Sequence, residues 1–319
     1  MATQKEVSKE LPSIIRVYKD GSVERLFKSP FFPPSLSSSQ SQVSSKDITI
    51  STNPQISARL YLPNLPPNHS LKLPILVYYH GGAFCIGSAF AFFEHRYLNL
   101  LASQAKILIV SVEYRLAPEN PLPVAYEDSW VALKFVASHS TAINGGDQEP
   151  WLLSHGNFDK LYIGGDSAGA NIAHNLVSRA GVENLPNGVE ILGAFLSFPC
   201  FSGSKPIGSE PIKDFDKSFG RLIWDFVFPE ALDGADNPMI NPVGEGLAGI
   251  GCRKLLVLVA GKDELRDRGV WYCDGVKESG WEGEVELFEV EDEGHCFHVS
   301  DLETNNAKVF MKRLASFLV

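Results

Sequence analysis

A serine flanked by small residues, at the junction of an apolar run and an amphipathic stretch, constrains this chain more than any other feature. Leu161-Tyr-Ile163 reads as a short buried strand, Gly164 and Gly165 break it, and Ala168 to Ser178 has helical spacing. Ile172, Leu176 and Val177 share one side of that helix. Between strand and helix, Gly165-Asp-Ser-Ala-Gly169 fits the pattern G-x-S-x-G. A passage from strand to helix in so few residues forces Ser167 into a strained backbone conformation. The small residues two before and two after it let strand and helix approach. The hydroxyl is then held up at a helix start, where the dipole and unpaired N–H groups favour developing negative charge. The same pattern also arises in Gly/Ser-rich loops, so the rest of the chain decides its meaning.

The surrounding pattern places this turn in a layered α/β architecture. Continuous apolar runs at Pro74–Tyr79, Ile107–Val112, Ile191–Phe198 and Lys254–Ala260, with Glu284–Val290 after them, read as strands. Helical periodicity lies between or after them, over 90–105, 125–138, 267–280 and 305–318. Such alternation predicts a mostly parallel central sheet flanked by helices on both faces. Ile48-Thr-Ile50 and Ile56–Leu62, parted by the Asn53-Pro54 turn, predict an antiparallel edge to that sheet. Upstream, Ile14–Lys19 reads as a strand entering a tight turn at Asp20-Gly21. The stretch from Phe27 to Ser45 is rich in Pro and Ser, and Pro63 to Lys72 reads as a loop. Phe27, Phe31 and Phe32 are costly to leave in water, so part of the first stretch is expected to lie across something apolar. After Phe198 comes a long Gly/Ser/Pro loop, then an aromatic helix from Ser218 to Val227 and a turn-rich passage at Asn237–Pro242. No internal repeat interrupts the order. The 319 residues, 44% hydrophobic, suit one α/β domain spanning 1–319 with a sizeable core.

Charge and cysteine usage narrow the partners. A net charge of −10 with no Lys/Arg cluster speaks against nucleic acid. No apolar run approaches the length of a membrane span, and the first residues lack the apolar core of a secretory signal. The five cysteines form no C-x-x-C pair and no metal-ligand spacing, so reduced, mostly buried thiols are expected, with no metal and no organic cofactor. A cytoplasmic enzyme is the default, and the sequence leaves its oligomeric state open.

An activated serine needs a base, a group that orients the base, and donors for an oxyanion. Each has a candidate just past the carboxyl end of a predicted strand, where α/β sheets place their chemistry. His80-Gly-Gly-Ala83 follows Pro74–Tyr79, and backbone N–H groups can face a substrate oxygen only where side chains do not obstruct. Gly81, Gly82 and Ala83 are therefore candidate donors, with the Ala168 N–H completing the set. Asp263, just after Lys254–Ala260, is favoured as the orienting acid over Asp267, which lies a turn further on at a helix start. His295, after Gly294 in the loop beyond Glu284–Val290, is favoured as the base over His298. His69, His95, His139, His155 and His174 lack such a setting and read as surface or helix-packing residues.

These residues resemble the plant carboxylesterase family, in the hormone-sensitive-lipase-like branch of the α/β-hydrolases. The resemblance rests on His80-Gly-Gly, Glu113-Tyr-Arg-Leu-Ala-Pro-Glu119, Gly165-Asp-Ser-Ala-Gly169, Gly261-Lys-Asp-Glu-Leu-Arg-Asp267 and Gly294-His295, and it covers nearly the whole chain. The chain order Ser, Asp, His is that of α/β-hydrolases. The two ends, Arg16–Arg25 and Lys312–Val319, resemble the 2-hydroxyisoflavanone dehydratase subgroup. The resemblance implies an α/β-hydrolase fold with a helical cap built from the N-terminal segment (1–45) and the insertion after Phe198 (200–242). Phe31, Phe32, Phe219 and Trp224 would then be substrate contacts. It also implies a small-molecule ester as substrate. Two departures bear on the reaction. Many members carry a third glycine where this chain has Ala83, and the dehydratases carry Thr where it has Ser167. Serine is the esterase choice, because a β-branched hydroxyl is stiffer and more hindered as an acyl acceptor. The family's gibberellin receptors lose the catalytic His, whereas His295 is present here. The expectation is a serine carboxylesterase, with a dehydratase-like lyase using the same site as the alternative.

Overall fold

The computed structural model describes residues 5–36, 42–64, 72–141 and 148–319. The serine run at 37–41 and most of the predicted 63–72 loop, including His69, lie outside the described residues. In chain order the elements are β1 (Val7–Leu11), β2 (Ile15–Tyr18), β3 (Val23–Arg25), β4 (Val43–Thr52), β5 (Gln55–Pro63), β6 (Leu73–Tyr79), α1 (Phe92–Ala105) and β7 (Leu108–Glu113). They continue with α2 (Val124–Ser138), α3 (Pro150–His155), β8 (Gly156–Asp166), α4 (Ala168–Ala180), β9 (Ile191–Ser197) and α5 (Phe219–Val227). The last are β10 (Cys252–Ala260), α6 (Arg266–Glu278), β11 (Glu284–Val290), α7 (Phe297–Ser300) and α8 (Asn305–Phe317).

Eight strands form one sheet in the order β11-β10-β9-β8-β6-β7-β5-β4. The six from β11 to β7 run parallel, and β5 and β4 close the far edge antiparallel, as the alternation of Ile48–Ile50 and Ile56–Leu62 predicted. Burial on both faces explains the continuous apolar runs. Ile75, Val77 and Tyr79 on one face of β6, and Leu76 and Tyr78 on the other, are all sealed from solvent. Two apolar layers result, one around α2, α4 and α6 and the other around α1 and α8. Gly164 lets the layers close, because a Cβ there would sit 2.3 Å from the Phe195 ring.

The N-terminal segment does not add a helix to this body. Residues 7–25 form a separate three-stranded antiparallel sheet, β1-β2-β3, in which Ile15 and Val17 alternate with polar residues and Gly21 takes the positive φ of 81° that the turn requires. Leu11 and Ile15 join its attachment to the main apolar core, and polar contacts add to it. Arg25 donates to the Cys85 carbonyl at 2.7 Å and pairs with Glu119 through both terminal nitrogens. Further on, the fully buried Arg59 grips Asp47 through two nitrogens and donates to the Phe32 carbonyl at 2.7 Å, drawing the 31–35 segment onto β5. The segment after β9 is tied down from α6, where the buried Arg268 donates to Glu210 and to the Lys205 carbonyl. α5 packs against β1, so the two peripheral segments meet above the carboxyl ends of the parallel strands.

Candidate active site

The parallel strands β6, β8, β10 and β11 end at Tyr79, Asp166, Ala260 and Val290, and the candidate residues follow each end within five positions. Ser167 occupies the turn between β8 and α4 with φ 55° and ψ −114°, a conformation that costs a non-glycine residue about 1–3 kcal/mol. The surroundings hold it there. Its N–H donates to the Ser197 carbonyl at 2.8 Å, and its carbonyl accepts from Cys200 at 3.1 Å and Asn171 at 3.1 Å. Gly165 and Gly169 make the turn possible. A Cβ on Gly165 would lie 2.3 Å from the Tyr79 carbonyl oxygen, and one on Gly169 only 1.9 Å from it. Gly169→Ala is therefore expected to destabilise the fold by about 3 kcal/mol, because backbone rather than a yielding side chain stands in the way. Chemical denaturation of the variant checks this, and an unchanged midpoint would count against so tight a packing.

From Ser167 a hydrogen-bonded chain leads inward. His295 Nε2 lies 2.9 Å from Ser167 Oγ, and His295 Nδ1 lies 2.7 Å from Asp263 Oδ2. Neutral His295 then carries its proton on Nδ1, toward the carboxylate, leaving the Nε2 lone pair toward the hydroxyl. The Asp263 side chain is almost fully buried, and its other oxygen accepts from the Leu265 N–H at 3.0 Å, which fixes its rotation. Asp267 does something else. It accepts from the N–H and hydroxyl of Ser209 and pairs with Arg266, so it anchors the post-β9 insertion. His298 also faces away. It is fully buried, stacked on Phe310 and packed beside Phe198, with Nε2 3.3 Å from Asp166 Oδ2 behind the serine.

The loop after β6 wraps the other side of Ser167. A Cβ on Gly81 would touch the Asp166 carbonyl oxygen at 3.0 Å and Ser167 Cβ at 3.5 Å, so this backbone lies directly against the serine. Gly82 has φ 111°, and a Cβ there would fall 2.2 Å from the Ile86 carbonyl oxygen. Ala83 has φ 53° and Phe84 φ 58°, both in the left-handed region. The loop closes with Cys85 and Ile86 N–H donating to the Gly82 carbonyl. His80 braces it from below. Burial pushes its imidazole down to about 4, so it is neutral, and its contact of 2.7 Å to the Gly81 carbonyl assigns the proton to Nδ1. The Glu113–Glu119 motif supplies the scaffold. Tyr114 hydroxyl donates to the His80 carbonyl, Glu113 accepts from Ala89 and Ser88, Arg115 pairs with Asp128, and Glu119 holds Arg25. Ala168 opens α4, so its N–H belongs to the first turn, where no intrahelical acceptor exists.

These elements enclose a cavity of about 360 Å³. Gly81, Gly82, Ala83, Ser167 and His295 form its floor, and Ser13, Ile14, Phe27, Phe93 and Phe219 supply much of the wall. Of the four aromatic residues expected to meet substrate, only Phe219 lines it. Trp224 is fully buried within the insertion, donating from Nε1 to the Gly234 carbonyl and packing on Phe228. Phe32 stacks on His95 at 4.3 Å between ring centres, and Phe31 is 67% exposed beside Arg59. Phe31 pairs its backbone with Ala91, and the Phe32 ring packs on Phe92 and His95 of α1 instead of lining the cavity. Sequence reasoning missed Phe27 and Phe93 as wall residues, and it missed Glu94 and Asp166, which also line the cavity. A signal for Glu94 was present, since it shares a helical stripe with Leu98, Leu101 and Ala105. Of the other histidines, His95, His139 and His174 are buried packing residues, as their settings suggested. A larger groove, about 660 Å³, opens at the opposite, amino ends of β6, β8, β9 and β10 beside Lys72 and Arg253, so size alone does not mark the site.

Comparison with known proteins agrees with this geometry. The sequence pattern of the alpha/beta hydrolase fold family matches residues 76–299. The chain is 58% identical to a 2-hydroxyisoflavanone dehydratase of Glycyrrhiza echinata over 99% of its own length and 98% of that protein's. It is 42% identical to a probable carboxylesterase 7 of Arabidopsis thaliana, over 96% of each chain. Among solved structures, a hyperthermophilic esterase from the archaeon Pyrobaculum calidifontis superposes with a TM-score of 0.67 at 28% identity, covering 86% of this chain and 84% of the other.

Proposed function

The chain belongs to the alpha/beta hydrolase fold family, and we propose that it is a serine carboxylesterase acting on small-molecule esters. The observation that carries the reading is the hydrogen-bonded line Ser167–His295–Asp263, with 2.9 Å and 2.7 Å between its members. Ser167 Oγ attacks the ester carbonyl carbon as His295 Nε2 takes its proton. Asp263 keeps the imidazole in the reactive tautomer and stabilises the imidazolium without becoming protonated. The N–H groups of Gly82, Ala83 and Ala168 receive the oxyanion, with Gly81 shaping the approach to it. Collapse of the tetrahedral species breaks the bond to the leaving oxygen, which takes the proton from His295. Water, deprotonated by the same nitrogen, then releases the acid and restores Ser167. The reaction as written needs no metal or organic cofactor.

In this reading the N-terminal segment and the post-β9 insertion act as a cap on one catalytic domain. Ser13, Ile14 and Phe27 come from the first, Phe219 from the second, and all four line the cavity. A cytoplasmic setting is part of the same proposal. It is supported by five unpaired cysteines, and no helix among the described residues is long and apolar enough to cross a membrane.

A second reading, dehydration of a 2-hydroxyisoflavanone-like substrate, draws support from the 58% identity to a protein of that name. Ser167 favours hydrolysis, since an unbranched hydroxyl is the less hindered acyl acceptor. A panel of aryl esters, acetylated phenolics and a hydroxyisoflavanone separates the two. Release of acid and alcohol supports the esterase, whereas water loss from the hydroxyisoflavanone without ester turnover would overturn it.

A further inference from the structure

The cavity contains an acid that the proposed mechanism does not use. Glu94 stands in the first turn of α1, and its side chain lines the cavity together with Gly82, Phe93, Asp166 and Ser167. Among the described residues no Lys or Arg lines this cavity and no cation pairs with the Glu94 carboxyl. The charged groups that act on it are instead acids, Asp166 at the end of β8 and Glu113 at the end of β7. Its other titratable neighbours stay neutral near pH 7, because burial raises the Tyr61, Tyr78, Tyr97 and Tyr114 hydroxyls and the Cys296 thiol. His295 lines the same cavity. β4 and α8, which also pack on α1, contribute no charged group that shifts it.

A carboxyl in such a place resists ionisation. Burial first, and the Asp166 charge second, push Glu94 up to about 8. Near neutral pH it is an uncharged acid, and about one pH unit above its midpoint it is a carboxylate within the space a substrate must enter. A lone carboxylate without a cation repels a second anion strongly inside a partly dry cavity.

We propose that Glu94 is the charge filter of this cavity, a specificity-determining residue that admits uncharged esters and, once ionised, turns away substrates bearing a carboxylate. The inference rests on the esterase reading above. It is tested with para-nitrophenyl butyrate and mono-(para-nitrophenyl) glutarate, which share leaving group and chain and differ by a terminal carboxylate. The ratio of their kcat/KM values cancels pH effects that both esters share. In the native protein the ratio of butyrate to glutarate is expected to rise about tenfold between about pH 7 and about pH 9.5. In Glu94→Gln and in Glu94→Leu it stays flat. A flat native ratio, or the same rise in both variants, would overturn the filter. Absence of butyrate turnover at every pH would instead contradict the esterase reading. The filter is then read from calorimetric affinities for para-nitrophenyl butyl ether and its carboxylate-terminated analogue, with the same rise expected and the same flat ratio refuting it.

Discussion

Ser167→Ala is expected to lower turnover of para-nitrophenyl butyrate by about 10⁴-fold or more while leaving the fold intact. The loss follows from removing the only atom that can carry the acyl group in the proposed reaction. Survival of the fold follows from where the residue's structural bonds lie. The Ser167 N–H and carbonyl, not its hydroxyl, tie β8 to Ser197, Cys200 and Asn171, and all three bonds remain in the variant. Among the described residues the hydroxyl bonds His295 alone. Alanine adopts the same φ of 55° at no greater strain, so the thermal midpoint should stay within a few degrees of the native value. Circular dichroism and an ester assay on the same preparation check both halves. A folded variant retaining a tenth or more of native activity would remove Ser167 from the mechanism.

Asp263→Asn is expected to cost about 10³–10⁴-fold in kcat with little change in stability. The Leu265 N–H donates to Asp263 Oδ1 at 3.0 Å. An asparagine keeps that bond only by pointing its carbonyl oxygen at Leu265, and this turns its amide nitrogen toward His295. Two donors cannot share the 2.7 Å contact, so the imidazole must accept at Nδ1 and carry its proton on Nε2, facing the serine. A protonated Nε2 cannot accept from Ser167 Oγ. Because the two residues act as one unit, Ser167→Ala/Asp263→Asn should be no slower than Ser167→Ala alone. Additive losses in that pair would mean that Asp263 acts on something other than His295. The matching substitution at Asp267 should spare the chemistry, since that carboxylate holds Ser209 and Arg266.

Local features of the sequence disclosed the central sheet and the three residues of the hydrogen-bonded line, because each depends on near neighbours. Gly165 and Gly169 announce a close crossing wherever the rest of the chain lies, and Asp263 and His295 are identified by their distance from a strand end. Features that depend on distant partners were not legible. Trp224 looked like a substrate contact, but its indole N–H is claimed by the Gly234 carbonyl within the insertion. Phe27 lines the cavity and Phe31, which pairs its backbone with Ala91, does not. The sequence placed this strand only at Leu161–Ile163, whereas β8 begins at Gly156. Its polar first half, with Asn157 and Asp159, is drawn into the sheet where Leu73 and Pro74 pair with Gly156 and Asn157. The N-terminal sheet shows a similar limit. β2 and its turn were visible in the sequence, whereas β1 is built largely of exposed polar residues and becomes a strand by pairing with β2. Glu94 shows the opposite case. Its place on an apolar stripe was readable, but its meaning depends on Asp166 and Glu113, which the fold brings beside it.

The central claim is that Ser167 becomes acylated during turnover. Rapid quenching of the protein with para-nitrophenyl butyrate, followed by peptide mass spectrometry, tests this directly. A butyryl group is expected on the peptide carrying Ser167, formed faster than it is hydrolysed and absent from Ser167→Ala. Full ester turnover with that peptide unmodified at every quench time, or with the acyl group on another residue, would contradict it.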